Sequence, residues 1–145
     1  MVEISRRFRD DIYLTNNRSR DEAKTVLAQL LVDFQGEIDL SYPPLRAHSE
    51  FLLNEVLIEL AHNTVRHSGA QTFSIFYESN EYGIELRISD DGHGLPSPSR
   101  KNLGLIMIDQ SLKIIGCNYY CSSSPQGTTY GIQIPRSIIL NEPST

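Results

Sequence analysis

The chain lacks any apolar run near the roughly 20 residues that a membrane span needs, and Met1 does not open a secretory signal. Both absences predict a cytoplasmic segment that makes no membrane contact of its own, although a parent protein can be membrane-anchored. It also lacks a basic field. Thirteen Lys and Arg stand against eighteen Asp and Glu, for a net charge of -5, so a general nucleic-acid binder is excluded. The basic cluster from Arg6 to Arg9 is too short to reverse that balance. There are only two cysteines, Cys117 and Cys121. On one strand they would share a face about 13 Å apart, beyond disulfide reach. No His or Cys lies near them in sequence to complete a zinc set, so they read as reduced thiols in or beside a core. Repeats, low-complexity tracts and a clear internal boundary are missing too. What is there is 145 residues, 39% hydrophobic, about the size of one ordinary domain with a real core.

Ile4, Phe8 and Ile12 fall at i, i+4, i+8 and predict one short amphipathic helix in an otherwise weakly patterned start. Ser19 with Glu22 reads as a capping box. Leu27, Leu30, Leu31 and Phe34 then give helical spacing, and Gly36 is the expected stop. In EIDLS, Ile38 and Leu40 alternate like a short strand. After Pro43-Pro44, a longer helix is expected from about Arg46 to His67, with Leu53, Val56, Leu57, Leu60, Ala61 and Thr64 as its inward stripe. Ser68-Gly69 stops it. TFSIFYE and YGIELRIS follow as a hairpin with a turn around Ser79-Asn80, and Ile84, Leu86 and Ile88 mark its buried face. A helix LGLIMIDQSLKIIG ends at Gly116. NYYCSS and TTYGIQIP, joined through SPQG, supply two final strands. Helices mixed with antiparallel strands predict a two-layer α/β (α+β) sandwich, with helices on one sheet face and solvent on the other.

Four stretches could carry chemistry. On the long helix, Glu59, Asn63, Arg66 and His67 fall at i, i+4, i+7 and i+8, on one polar stripe. Such a stripe is an ordinary solvated face. Its residue types also suit a magnesium ion, because a carboxylate and a carboxamide one turn apart can hold it and its waters through oxygen, with a cation beyond to meet phosphate. In SDDGHGL, two acids run into Gly92 and Gly94. That is turn chemistry, or a floor that lets a flat ligand approach, beside an Asp that can accept from an exocyclic amine. Gly104 opens a helix whose free N–H groups suit phosphate. Gly127 and Thr128 enter the last strand, as any hairpin loop would.

Taken together and in order, these pieces resemble the nucleotide-binding domain of the GHKL superfamily, named for gyrase, Hsp90, histidine kinases and MutL. The match spans roughly residues 22–135. ELAHNTVRH is similar to the asparagine box E-x-x-x-N-x-x-[KR]-[HY], and DDGHG to the first glycine box, D-x-G-x-G. NLGL resembles the second glycine box, and QGTTYGIQIP the G-T that opens the final strand. The resemblance implies a Bergerat-type fold, whose mixed, mostly antiparallel sheet is covered on one face by helices. It implies ATP and Mg2+ as cofactors. Asn63 would ligate the magnesium on the ATP phosphates, and Glu59 would be the general base or orient the accepting group. Arg66 and His67 would stand near phosphate. Asp90 would accept the adenine amino hydrogen, and Asp91 would be a turn residue or secondary contact. Gly92 and Gly94 would let the chain wrap the base, Gly104 and Leu105 would begin the phosphate-side helix, and Thr128, beside Gly127 in the cofactor-binding set, would reach adenine through water. Asn102 stands where the second box carries its first glycine. The lid PSPSRKN is very short, with Arg100 and Lys101 as candidate phosphate contacts.

Within the superfamily, the short lid and NTVRH resemble sensor histidine kinases. The four histidines are His48, His62, His67 and His93, and none precedes the nucleotide domain on a helix suited to accept phosphate. The expectation is therefore a catalytic half: residues 1–20 as linker or arm, 21–136 as ATP-binding catalytic domain and 137–145 as tail. It would phosphorylate a histidine on a dimerisation domain of the same parent protein and serve a response regulator. A stand-alone serine kinase of the anti-sigma-factor type, and a non-catalytic partner-binding domain, are the alternatives.

Overall fold

The computed structural model describes residues 19–67, 69–94 and 103–140. Among the described residues, three α-helices and four strands follow in the order α1 (Arg20–Leu30), α2 (Ala47–His67), β1 (Phe73–Asn80), β2 (Gly83–Asp90), α3 (Leu103–Ile114), β3 (Asn118–Ser124) and β4 (Gly127–Pro135). The strands form one antiparallel sheet in the order β1-β2-β4-β3. This is the expected α/β sandwich. The expected amphipathic helix on Ile4, Phe8 and Ile12 lies outside the described residues, as do Ser68 and the lid with Arg100, Lys101 and Asn102.

Periodicity explains where the core sits. Leu53, Val56, Leu57, Leu60, Ala61 and Thr64 are all buried along one side of α2. Ile84, Leu86 and Ile88 of β2 and Ile132 and Ile134 of β4 are buried opposite them, while Phe76 and Tyr120 stay exposed on the other sheet face. Helix α2 packs between α1 and α3. Helix α3 is also tied to β3, because the Tyr119 hydroxyl donates to Asp109 Oδ1 at 2.6 Å. The residues after β4 form a 3-10 turn, Arg136–Ile138. They then clasp the start of α2, with Arg46 N donating to Ile138 O at 2.8 Å and Leu140 N to Pro44 O at 2.9 Å.

Three local expectations are corrected. Helix α1 starts as its cap predicts, with Ser19 accepting from Glu22 N, but it ends at Leu30 and not at Gly36. The chain leaves early because Gln35 must reach the edge of β1, where Phe73 N donates to Gln35 O at 2.8 Å. EIDLS is not a strand. It makes an isolated parallel bridge, Ile38 to Ile75, beside that of Gln35 to Thr72, and so covers the outer edge of β1 without a full ladder. The hairpin turn lies at Glu81-Tyr82, since Ser79 and Asn80 still pair with Ile84 and Gly83. Asn80 Oδ1 closes it by accepting from Tyr82 N and Gly83 N, each at 3.0 Å.

The two thiols differ. Cys117 is buried and Cys121 exposed. Burial raises both thiols, Cys117 up to about 12, so it is the exposure of Cys121 against the burial of Cys117 that sets their access to a reagent. Iodoacetamide at mild alkaline pH is therefore expected to alkylate Cys121 in the folded protein and Cys117 only after unfolding. Peptide mass spectrometry with and without denaturant checks this.

Candidate functional site

The end of β2, the start of β4 and the last turns of α2 meet at one end of the sandwich. Asp90 closes β2 and pairs with Thr128 of β4. Its carboxylate is held at both oxygens. Thr64 Oγ1 donates to Oδ2 at 3.0 Å, and Gly92 N donates to Oδ1 at 2.9 Å. A carboxylate oxygen offers two lone pairs, so each keeps one for a further donor. Thr128 is buried, and its hydroxyl lies 3.0 Å from that of Ser123 on β3.

The acids of SDDGHGL have separate tasks. Asp91 Oδ1 accepts from Gln71 N at 2.8 Å and Thr72 N at 2.9 Å. These two backbone donors hold the Asp91 carboxyl below its ordinary range, as hydrogen bonds to the charged form do. Asp91 thus staples the end of β2 to the entry of β1, which fits the reading of it as a turn or secondary contact. Gly92 is buried. Gly94 lies at φ +92, where a Cβ would stand 2.6 Å from Ser124 O, so the loop rests against the tip of the β3–β4 hairpin. His93 is exposed, and its ring covers Gly69 so closely that a Cβ there would meet Nε2 at 2.7 Å.

Gly127 sets how near β4 comes to Asp90. Its φ is +147, and a Cβ would fall 2.2 Å from the Asp90 carbonyl oxygen. Any other residue would both strain this backbone and push β4 away from the main chain of Asp90.

On α2, Arg66 Nη2 lies 3.4 Å from Glu59 Oε1, with side chains 54% and 20% exposed. So exposed a pair adds little stability and leaves both groups open to a ligand. Asn63 differs. Both of its amide atoms are buried, and neither finds a hydrogen-bond partner among the described residues. A buried carboxamide without partners is costly, and an outside group that completes it offsets that cost. Among the described residues no three His, Cys, Asp or Glu side chains gather to hold a metal. A cation at Asn63 would therefore take most of its oxygen ligands from a bound molecule and water.

The structure thus joins Asp90, Gly92, Gly127 and Thr128 through direct contacts or strand pairing, and Glu59 with Arg66. Asn63 precedes the Asp90-bonded Thr64. Gly104 and Leu105 stand in the first turn of α3, the helix beside α2. The His67 side chain lies outside the described part. Sequence reasoning missed two residues here, Thr64 and Ser123. Thr64 sits in the inward stripe and reads as core, and its hydroxyl amid Leu60 and Ala61 is the signal that could have found it. A cleft of about 300 Å³, lined by Glu85, Tyr120 and Gln133 among others, opens on β2, β4 and β3, away from Asp90.

No protein-family model matches the sequence, and no curated protein matches it significantly. Solved structures do match. The histidine kinase domain of the Erythrobacter litoralis EL346 blue-light activated histidine kinase superposes with a TM-score of 0.69 at 16% identity, over 81% of this chain and 62% of that one. The ATP-binding domain of PrrB from Mycobacterium tuberculosis gives 0.61 at 23% identity, over 79% and 89%. The Acinetobacter baumannii histidine kinase AdeS gives 0.61 at 22%, over 77% and 64%. The fold is that of histidine kinase ATP-binding domains. The chain spans about three fifths of the EL346 histidine kinase domain and two fifths of the longer EL346 structure. No described helix is long and apolar enough to cross a membrane.

Proposed function

We propose that this chain is the ATP-binding catalytic domain of a sensor histidine kinase. It binds Mg-ATP and passes the γ-phosphoryl group to a histidine on a separate dimerisation domain, which in turn serves a response regulator. The observation that carries the reading is Asp90: a carboxylate fixed by Thr64 and Gly92 that retains acceptor capacity, at the end of a strand where Gly94 and Gly127 let neighbouring backbone pack close. An acceptor so placed suits the exocyclic amine of adenine.

The residues also fit magnesium. The Asn63 carboxamide is buried without a partner, so its oxygen would join phosphate and water oxygens around the ion, while Arg66, half exposed, stands within one turn to meet phosphate. Bound magnesium would supply charge neutralisation on the phosphates. Glu59 would orient the incoming imidazole or take its proton. Most of the rate gain in such a transfer comes from positioning and charge stabilisation.

ATP or a nonhydrolysable analogue with magnesium is expected to raise the melting temperature. A ligand at a hundred times its Kd adds about 2.7 kcal/mol by mass action. The absence of a shift at millimolar nucleotide overturns the reading. Transfer to a histidine gives an acid-labile phosphoprotein, whereas acid-stable phosphoserine would favour the anti-sigma-factor type of kinase.

A further inference from the structure

Thr64 is 4% exposed, and its Oγ1 lies between two acceptors, Leu60 O at 3.1 Å and Asp90 Oδ2 at 3.0 Å. A hydroxyl carries one proton. In a regular helix Leu60 O already receives the amide of Thr64 itself, and a carboxylate is the stronger acceptor. The proton therefore goes to Asp90. The back-bond to Leu60 remains as a reserve that keeps the hydroxyl satisfied when the carboxylate is removed.

This bond reaches from a helix to a strand end. It acts on the one torsion of Asp90 that backbone position leaves loose, since rotation about Cβ–Cγ is broad for a carboxylate. Gly92 N alone, at 2.9 Å on Oδ1, does not fix that rotation. With Thr64 on Oδ2, both oxygens are pinned and the free lone pairs point in set directions. An ionised carboxylate carries no proton to donate, so Asp90 offers the ligand only acceptors. It then favours a ligand edge that donates and disfavours one that presents an oxygen.

We infer that Thr64 is a positioning residue, and that discrimination between purine nucleotides by their 6-substituent depends on its hydroxyl acting through Asp90. The inference rests on the nucleotide-binding reading and names what sets the selectivity of that site. Inosine triphosphate is the suitable probe, because it carries an oxygen where ATP carries the amine. The experiment measures the Kd of ATP and of inosine triphosphate, with magnesium, for the chain and for Thr64→Val, Thr64→Ala and Thr64→Ser.

Thr64→Val keeps the shape and deletes the hydroxyl. ATP is expected to bind it about five- to tenfold more weakly, a part of what a hydrogen bond to a charged group is worth, with inosine triphosphate nearly unchanged. The preference for ATP thus shrinks. Thr64→Ser restores it. Thr64→Ala repeats the loss and stands in if Val does not fold, as judged by the thermal transition. A packing role alone weakens both nucleotides alike, and that result overturns the inference. So does an unchanged preference in Thr64→Val, while ATP binding by the parent chain then leaves the nucleotide reading standing. If the parent chain binds neither nucleotide, the reading and the inference fall together.

Discussion

Asp90→Asn is expected to weaken ATP binding by about 100-fold or more while the fold survives. The reason lies in which atoms the carboxamide can offer. Gly92 N donates to Oδ1 at 2.9 Å, so the new carbonyl oxygen must take that position. The new NH2 then falls where Oδ2 stood, 3.0 Å from Thr64 Oγ1. Thr64 tolerates this by turning its proton to Leu60 O, 3.1 Å away, and accepting from the amide. Every internal hydrogen bond is kept. The cost falls on the ligand, because an amine arriving at this edge meets a donor and a lost charge. Sites built to hydrogen-bond a substrate group reject a mismatch by orders of magnitude. Isothermal titration with ATP and magnesium, beside a melting curve, separates the two effects. ATP affinity equal to that of the parent chain would show that Asp90 is not the base acceptor. A collapsed melting transition would show that its role is structural.

Much of this site could be read before the fold was known, because its residues are near neighbours in sequence. Glu59, Asn63 and Arg66 share one helical stripe by spacing alone. Asp90, Gly92 and Gly94 share one turn. What spacing cannot give is the partner across space. Asp91 reads as generic turn chemistry, and only the structure shows its two donors, Gln71 N and Thr72 N. Thr64 reads as part of the buried stripe, which it is at 4% exposure, yet its hydroxyl faces a residue 26 positions on. The elements themselves were legible wherever a period of two or 3.6 ran through apolar residues, as in Ile84, Leu86 and Ile88. EIDLS was misread because two alternating apolar residues do not make a ladder; the edge of β1 decides how much of it pairs. The neighbour order β1-β2-β4-β3 leaves no trace in hydrophobic pattern, since both faces of β4 would read the same beside β2 or at the edge.

Arg20 is the residue whose weight the sequence hides most, and Arg20→Met is expected to destabilise the fold more than Asp90→Asn or any exchange at Thr64. Beside the cap Ser19 it looks like one more solvated arginine. In the structure its guanidinium forks onto Glu50, with Nε to Oε2 at 3.1 Å and Nη2 to Oε1 at 2.5 Å. It also donates to Leu40 O at 3.1 Å, to Pro43 O at 3.2 Å and to Tyr42 O. The group lies 3.8 Å from the centroid of the Tyr42 ring. One side chain thus fastens the start of α1, the segment 40–43 and the first turn of α2. The Arg20 and Glu50 side chains are only 17% and 13% exposed. Methionine matches the stem and fills the space, but it leaves a mostly buried carboxylate and three carbonyls without their cation. Removing one partner of such a pair costs about 3 kcal/mol, and in a domain of this size that lowers the melting temperature by roughly 10 °C. Arg20→Lys should recover only part, since an ammonium cannot span the fork and reach the carbonyls at once. Glu50→Gln in the Arg20→Met background should recover part by a different route, by removing the stranded charge. A double-mutant cycle read from thermal unfolding tests this. If the two substitutions add with no coupling, the Arg20–Glu50 pair is not what holds α1 to α2, and the carbonyl contacts of the guanidinium carry the effect alone.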